Sequence, residues 1–147
     1  MTISLCGNTN NLNNFINKMK KIYEDKVIVC DMFNIKFNIV IETESIKYKL
    51  LDNCKSLDCA RKEYQKVIDE RTNNKITKLL NENRDRIVLL IDNNILTNRF
   101  TNNCYFLNSD IKILFEGIID DVNYNKEDFD YVVKDFNDIN IRKLVKV

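Results

Sequence analysis

A short apolar run that meets a glycine and passes at once into an amphipathic segment constrains this chain most. The run is Thr2-Ile-Ser-Leu-Cys-Gly7. Leu12, Phe15, Ile16, Met19, Ile22 and Tyr23 then recur at the i, i+3, i+4 and i+7 spacing of one helix face. Lys18, Lys20 and Lys21 fall on the other side, toward the end where the helix dipole favours cations. Asn8, Thr9 or Asn10 can cap the start. A buried strand, a tight turn and a helix are therefore expected in direct succession.

Two further runs repeat the strand signal. Val27-Ile-Val-Cys-Asp31 and Ile87-Val-Leu-Leu-Ile-Asp92 are apolar until a closing aspartate, as in strands covered on both faces. Phe33 to Ile41 alternates with period two and reads as a half-exposed strand, although its apolar residues also fit a helix. Ile46 to Leu50 would return as the second arm of a hairpin. Helical faces follow at Leu57, Ala60, Tyr64, Val67 and Ile68, with Ser56 as cap, and again at Ile76, Leu79 and Leu80 beyond Thr72-Asn-Asn74. Cys104 to Leu107 reads as a weak strand, and Ser109 as the cap of a helix carrying Ile111, Leu114, Phe115, Ile118 and Ile119. Tyr131 to Val133 reads as the last strand, and Asp138 as the cap of a final helix with Ile139, Leu144 and Val145.

Apolar strands alternating with helices predict a three-layer α/β domain with a mainly parallel five-stranded sheet. The 147 residues suit one domain with a real core, the stretch 33–85 being its variable middle. Apolar content of 44%, charged content of 31% and a net charge of +1 give no basic surface for nucleic acid or anionic lipid. No apolar stretch is long enough to span a membrane and no signal peptide is visible, so a cytoplasmic location is expected.

The five cysteines have no CxxC spacing; Cys6, Cys30 and Cys104 lie in or beside apolar runs and are expected as buried reduced thiols. Histidine is absent, which excludes Ser-His and Cys-His catalysis within the chain and leaves no zinc site to expect. Proline is also absent and Ala60 is the single alanine. An AT-rich genome accounts for this bias, so the many asparagines say little about function.

In a doubly wound sheet, ligands bind outside the carboxyl ends of the strands. That selects Gly7 to Asn11, Asp31 to Phe33, Asp92 to Asn94, Asn108 to Asp110 and Lys134 to Asp138. A phosphate loop, G-x-x-x-x-G-K-[ST], wraps phosphates in backbone N–H groups, neutralises them with Lys and holds magnesium with a hydroxyl. Here Gly7-Asn-Thr-Asn-Asn-Leu-Asn-Asn14 keeps only the first glycine. Gly7, Asn8, Thr9, Asn10 and Asn11 are the candidate phosphate-binding residues, with a plain structural turn as the simpler role. Asp31 and Asp92 are candidate carboxylates for magnesium or a substrate hydroxyl; capping of the following turns is their simpler role. Arg61, Arg71, Arg84 and Arg86 offer positive charge for a phosphate, but solvated helix faces explain them as well.

With these residues in view, the chain resembles the P-loop nucleoside-monophosphate kinases, and among them the dephospho-coenzyme A kinases. Ile3-Ser-Leu-Cys-Gly7 is similar to that family's first strand and loop, and Val27-Ile-Val-Cys-Asp31 to its second strand. Ala60-Arg-Lys and Lys75-Ile-Thr-Lys-Leu-Leu80 stand before Arg86-Ile-Val-Leu-Leu-Ile-Asp92 as the family's substrate-side helices stand before its third strand. Phe129-Asp-Tyr-Val-Val133 and the stretch after it are similar to the closing strand and helix. The resemblance implies a nucleotide site, yet three of its catalytic parts are missing. The phosphate loop lacks its Lys and hydroxyl, the family's His-Pro pair is absent, and no lid arginine occurs between Arg99 and Arg142. The acidic stretch Gly117 to Asp128 stands where the lid would be.

The expectation is a pseudoenzyme of this kinase type, binding a protein partner or a second copy of itself. It has no required cofactor, though a residual nucleotide or Mg ion is compatible with it. Phe33 to Leu50 would be exposed as a strand pair or apolar surface for that partner. Two alternatives stay open: an active small-molecule phosphotransferase with a remodelled loop, and a flavodoxin-like FMN binder, since Gly7-Asn-Thr9 is similar to an FMN phosphate loop.

Overall fold

In a computed structural model, which describes residues 1–93, 104–117 and 126–145, five parallel strands form one sheet in the order β2-β3-β1-β4-β5. The strands are β1 (Thr2–Gly7), β2 (Val27–Asp31), β3 (Ile87–Ile91), β4 (Ile111–Phe115) and β5 (Tyr131–Val133). Central β1 pairs Leu5 with Ile91 of β3 on one side and with Ile113 of β4 on the other. The expected α/β class and five-stranded sheet are present.

Alternation along the strands builds two cores. Ile3, Leu5, Ile87, Leu89, Ile113 and Phe115 point to one face. They are covered by α1 (Thr9–Tyr23) through Leu12, Phe15, Ile16 and Met19, and by Ile139, Ile141 and Leu144 near the C-terminal helix α6 (Ile141–Leu144). Cys30, Val88 and Leu90 point to the other face. There they meet Met32 of α2 (Met32–Glu42), Ile76 of α4 (Leu57–Glu82), and Tyr105 and Phe106 of α5 (Cys104–Leu107).

The variable middle departs from expectation. Phe33 to Ile41 is helical, within α2, and Ile46 to Leu50 lies in α3 (Glu44–Asn53); there is no hairpin. Asp31 starts α2 by accepting the Phe33 N–H at 3.0 Å. Met32 and Ile39 face the core, while Phe33, Phe37, Val40 and Ile41 remain exposed. Because α2 is apolar on nearly every side, its pattern fits both periods, and the cap with the sheet contact decides for helix. The apolar surface expected here is present, on a helix and not on strands.

The two helical faces beyond Ser56 are one 26-residue helix, α4. Thr72 does not break it: its side chain is buried and donates to the Ile68 carbonyl at 2.7 Å. Ser56 caps it as expected, accepting the Cys59 N–H at 3.1 Å.

Strand and helix are exchanged around residue 109. Cys104 to Leu107 is a helical turn, and Ile111 to Phe115 is the fourth strand. Ser109 caps nothing; its hydroxyl donates to the Tyr105 carbonyl at 2.6 Å and lies 2.5 Å from that of Ser4. Pairing with β1 settles the matter, since Ile113 and Phe115 complete the α1-side core only as strand residues. Asp138 belongs to a short turn capped by Asp135, and α6 begins later, after Asn140. Ile118, Ile119, Arg99, most of the acidic 117–128 stretch and Val147 lie outside the described residues. Among the described residues, no helix is long and apolar enough to cross a membrane.

Candidate functional site

The carboxyl ends of β1 and β3 lie side by side while their following helices lie on opposite faces, the arrangement that opens a crevice in α/β sheets. A cleft of about 370 Å³ lies there, lined by Thr9, Leu12, Asn13, Asp31, Phe33, Ile91, Asp92 and Asn93. Thr9 of the candidate loop and both candidate carboxylates are thus brought to one place. Arg61, Arg71, Arg84 and Arg86 do not line it. Arg86 precedes β3, at the sheet's opposite end, where its carbonyl accepts from the chain's amino group at 3.1 Å.

The turn after β1 is much tighter than a phosphate cradle. Gly7 is still paired in the sheet, Asn8 is the helix cap, and α1 starts at Thr9. The Gly7 N–H donates to the Asn93 side chain at 2.7 Å, and the Asn8 N–H to the Phe115 carbonyl at 3.0 Å. Asn8 in turn accepts the Asn11 N–H at 3.2 Å. Asn11 clamps the segment after β5, donating to the Lys134 carbonyl at 2.9 Å and accepting the Phe136 N–H at 3.3 Å. Of the five candidate residues, three have backbone N–H groups bonded within the protein, and Thr9 and Asn10 occupy the exposed first turn of α1.

Both glycines serve this closure. Gly7 has φ of +118°, and a Cβ there would collide with the Phe115 backbone, its carbonyl carbon 2.8 Å away. Gly117 lies against Asn8, where a Cβ would come within 3.0 Å of the Asn8 side chain. The glycine that looked like the opening of a phosphate loop lets two parallel strands and a helix start meet closely.

The two aspartates have different environments. Asp31 is exposed and caps α2. Asp92 is 3% exposed and forms an ion pair with Lys36 at 3.2 Å through Oδ2. The same oxygen accepts the Tyr105 hydroxyl. Burial, then the Asp92 charge, push the Tyr105 phenol above its ordinary range, so it remains a hydrogen-bond donor. Burial and Asp92 also push the Cys6 thiol up to about 12. Lys36 Nζ lies 5.7 Å from the Tyr105 ring centre, a cation–π distance that ties the three groups together.

Sequence reasoning missed Lys36 and Tyr105. Both lie in segments whose pattern imitates a strand, although Lys36 is on α2 and Tyr105 on the helical turn α5. A lysine five residues after a strand-ending aspartate, on a helix capped by it, was the available signal. Asn108 to Asp110, expected beside the crevice, sits at the amino end of the sheet, where Asp110 accepts the Thr2 N–H at 2.8 Å. It was misplaced because the strand follows it instead of preceding it. Lys134 to Asp138 does lie at the carboxyl end of β5, while Asn94 lies outside the described residues. Among the described residues, no three metal-ligating side chains converge.

Comparison with protein-family models, curated proteins and solved structures finds no match for this chain. The site is therefore read from its own chemistry. It offers an apolar and aromatic wall, an exposed carboxylate and a second carboxylate already neutralised by a lysine.

Proposed function

We propose that this is a nucleotide-kinase-like α/β domain without phosphotransfer chemistry, which acts in the cytoplasm by binding a protein. The observation that carries this is the closed turn after β1. A phosphate loop works by directing free N–H groups at the ligand, and here those of Gly7, Asn8 and Asn11 are bonded internally. Lys36 strengthens the reading, because a divalent cation at Asp92 would first have to displace an internal cation. The exposed α2 face supports the protein-binding half. Phe33 and Phe37 stack with ring centres 6.3 Å apart at 13° and are 64% and 54% exposed. Val40 and Ile41 extend the same surface, and contiguous apolar patches of this kind mark interaction sites.

Incubation with ATP, magnesium and a panel of nucleosides and dephospho-coenzyme A tests the first half; no turnover is expected, and robust turnover would establish the active alternative. Sedimentation across a concentration series tests self-association through the α2 face, with a different protein as the partner if the chain stays monomeric. The flavodoxin-like alternative is not favoured, since that fold orders its strands 2-1-3-4-5 and this sheet is 2-3-1-4-5.

A further inference from the structure

Among the described cysteines, two have a setting of their own. Cys6 and Cys30 are buried, whereas Cys54 is half-buried and Cys59 exposed, both as free thiols. They flank the turn from α3 to α4. Cys54 closes α3 with its N–H on the Leu50 carbonyl at 3.0 Å, and Cys59 stands in the first turn of α4 under the Ser56 cap. Extended backbone at Cys54 and Ser56 folds the chain back, so that α3 packs on α4 and the two cysteines stand on either side of one turn.

The helix held by this turn is weakly anchored. No residue of α3 is fully buried; Ile46 and Leu50 are half-buried and the other eight positions face solvent. Its attachment at the N-terminal end is polar: the buried Thr43 hydroxyl donates to the Ile39 carbonyl at 2.7 Å and meets Tyr64 of α4 at 2.9 Å. At the C-terminal end the turn that carries Cys54 and leads to Cys59 is its link to α4.

We propose that Cys54 and Cys59 are a modification site at which a low-molecular-weight disulfide forms a reversible intramolecular disulfide, fastening α3 to α4. The more exposed Cys59 thiolate attacks one sulfur of the small disulfide, forming a mixed disulfide and expelling one small thiolate. Cys54 then loses its proton and attacks the Cys59 sulfur, expelling the second. Two protein thiols are oxidised by two electrons, and one small disulfide is reduced to two thiols. Partial burial, the neighbouring Cys59 thiol and the Glu63 carboxylate raise the Cys54 thiol, which suits it to the second, intramolecular step, where the shared turn replaces thiolate abundance.

The test treats the reduced full chain with glutathione disulfide, blocks remaining thiols with N-ethylmaleimide and digests with trypsin without reduction. Cleavage after Lys49, Lys55 and Arg61 should leave peptides 50–55 and 56–61 joined by a bond that dithiothreitol breaks. Cys54→Ser should instead hold a glutathione adduct at Cys59. Hydrogen exchange across residues 46–53 should slow several-fold on oxidation of the wild type and stay unchanged on the same treatment of Cys54→Ser. Stable glutathione adducts on both cysteines, thiols that remain blocked only by maleimide, or a disulfide drawn to another cysteine would overturn the site. A linked pair with unchanged exchange in α3 would overturn the fastening.

Discussion

The two faces of the sheet are built to different rules. On the α1 face every strand residue that reaches the core is aliphatic or aromatic, and Phe15 and Phe115 meet with ring centres 5.5 Å apart. On the opposite face the buried polar groups collect: Ser4, Thr43, Thr72 and Asp92, with Cys6 and Tyr105 around the last. That face also carries α3, with no buried residue, and the exposed aromatic ridge of α2. The dry face holds the domain together. The polar face positions groups, and its contribution to stability depends on hydrogen bonds and charges that pH and substitution can alter.

The largest loss is expected for Phe15→Ala, which should cost about 3–5 kcal/mol in urea unfolding because it empties a fully buried site on the dry face. A loss below about 1 kcal/mol would show that the dry face is not the main source of stability. On the polar face, Lys36→Met should cost about 2 kcal/mol by leaving the buried Asp92 carboxylate without its cation, discounted because Lys36 reaches solvent. Combining it with Asp92→Asn should restore most of that loss. Failure to recover would mean that Lys36 acts by packing.

Alkaline pH should separate the faces further. The folded state holds the Cys6 proton up to about 12 against an ordinary value of 9.0, so it binds more protons than the unfolded chain above pH 9. Stability is then complete below pH 9 and falls as pH rises toward 12, by about 1 kcal/mol at pH 10. Cys6→Ala should flatten that decline in urea midpoints measured from pH 8 to 10.5; an unchanged slope would assign it to other groups. The smallest stability effect is expected for Phe37→Ser, within about 0.5 kcal/mol of wild type. The same substitution should weaken any protein association through α2, and unaltered association would remove the ridge from the proposed function.

How much of this was legible in the sequence varies with burial. Continuous apolar runs marked β1, β2 and β3, because a strand covered on both faces admits few polar residues. The amphipathic pattern marked α1 and, with Ser56, the start of α4. The pattern misled wherever an element was apolar on the wrong side. In α2 the exposed phenylalanines imitated a strand, and around residue 109 two short apolar runs competed for one place beside β1. The candidate site was half legible: Asp31 and Asp92 were located, and Asp31 proved to be a cap. Lys36 and Tyr105 could not be assigned to Asp92, since they are 56 and 13 residues away from it and only folding makes them neighbours.

The α/β class, the parallel sheet and the tight turn at Gly7 follow from local periodicity and from a glycine's freedom at positive φ, and so are written in the order of residues. What that turn does is set by the folded chain. Whether its N–H groups face a ligand or the protein depends on Phe115 and Asn93, residues far along the chain. Local sequence sets the conformations open to a segment. Long-range contacts decide which of its hydrogen bonds are already taken, and so which remain open to a ligand.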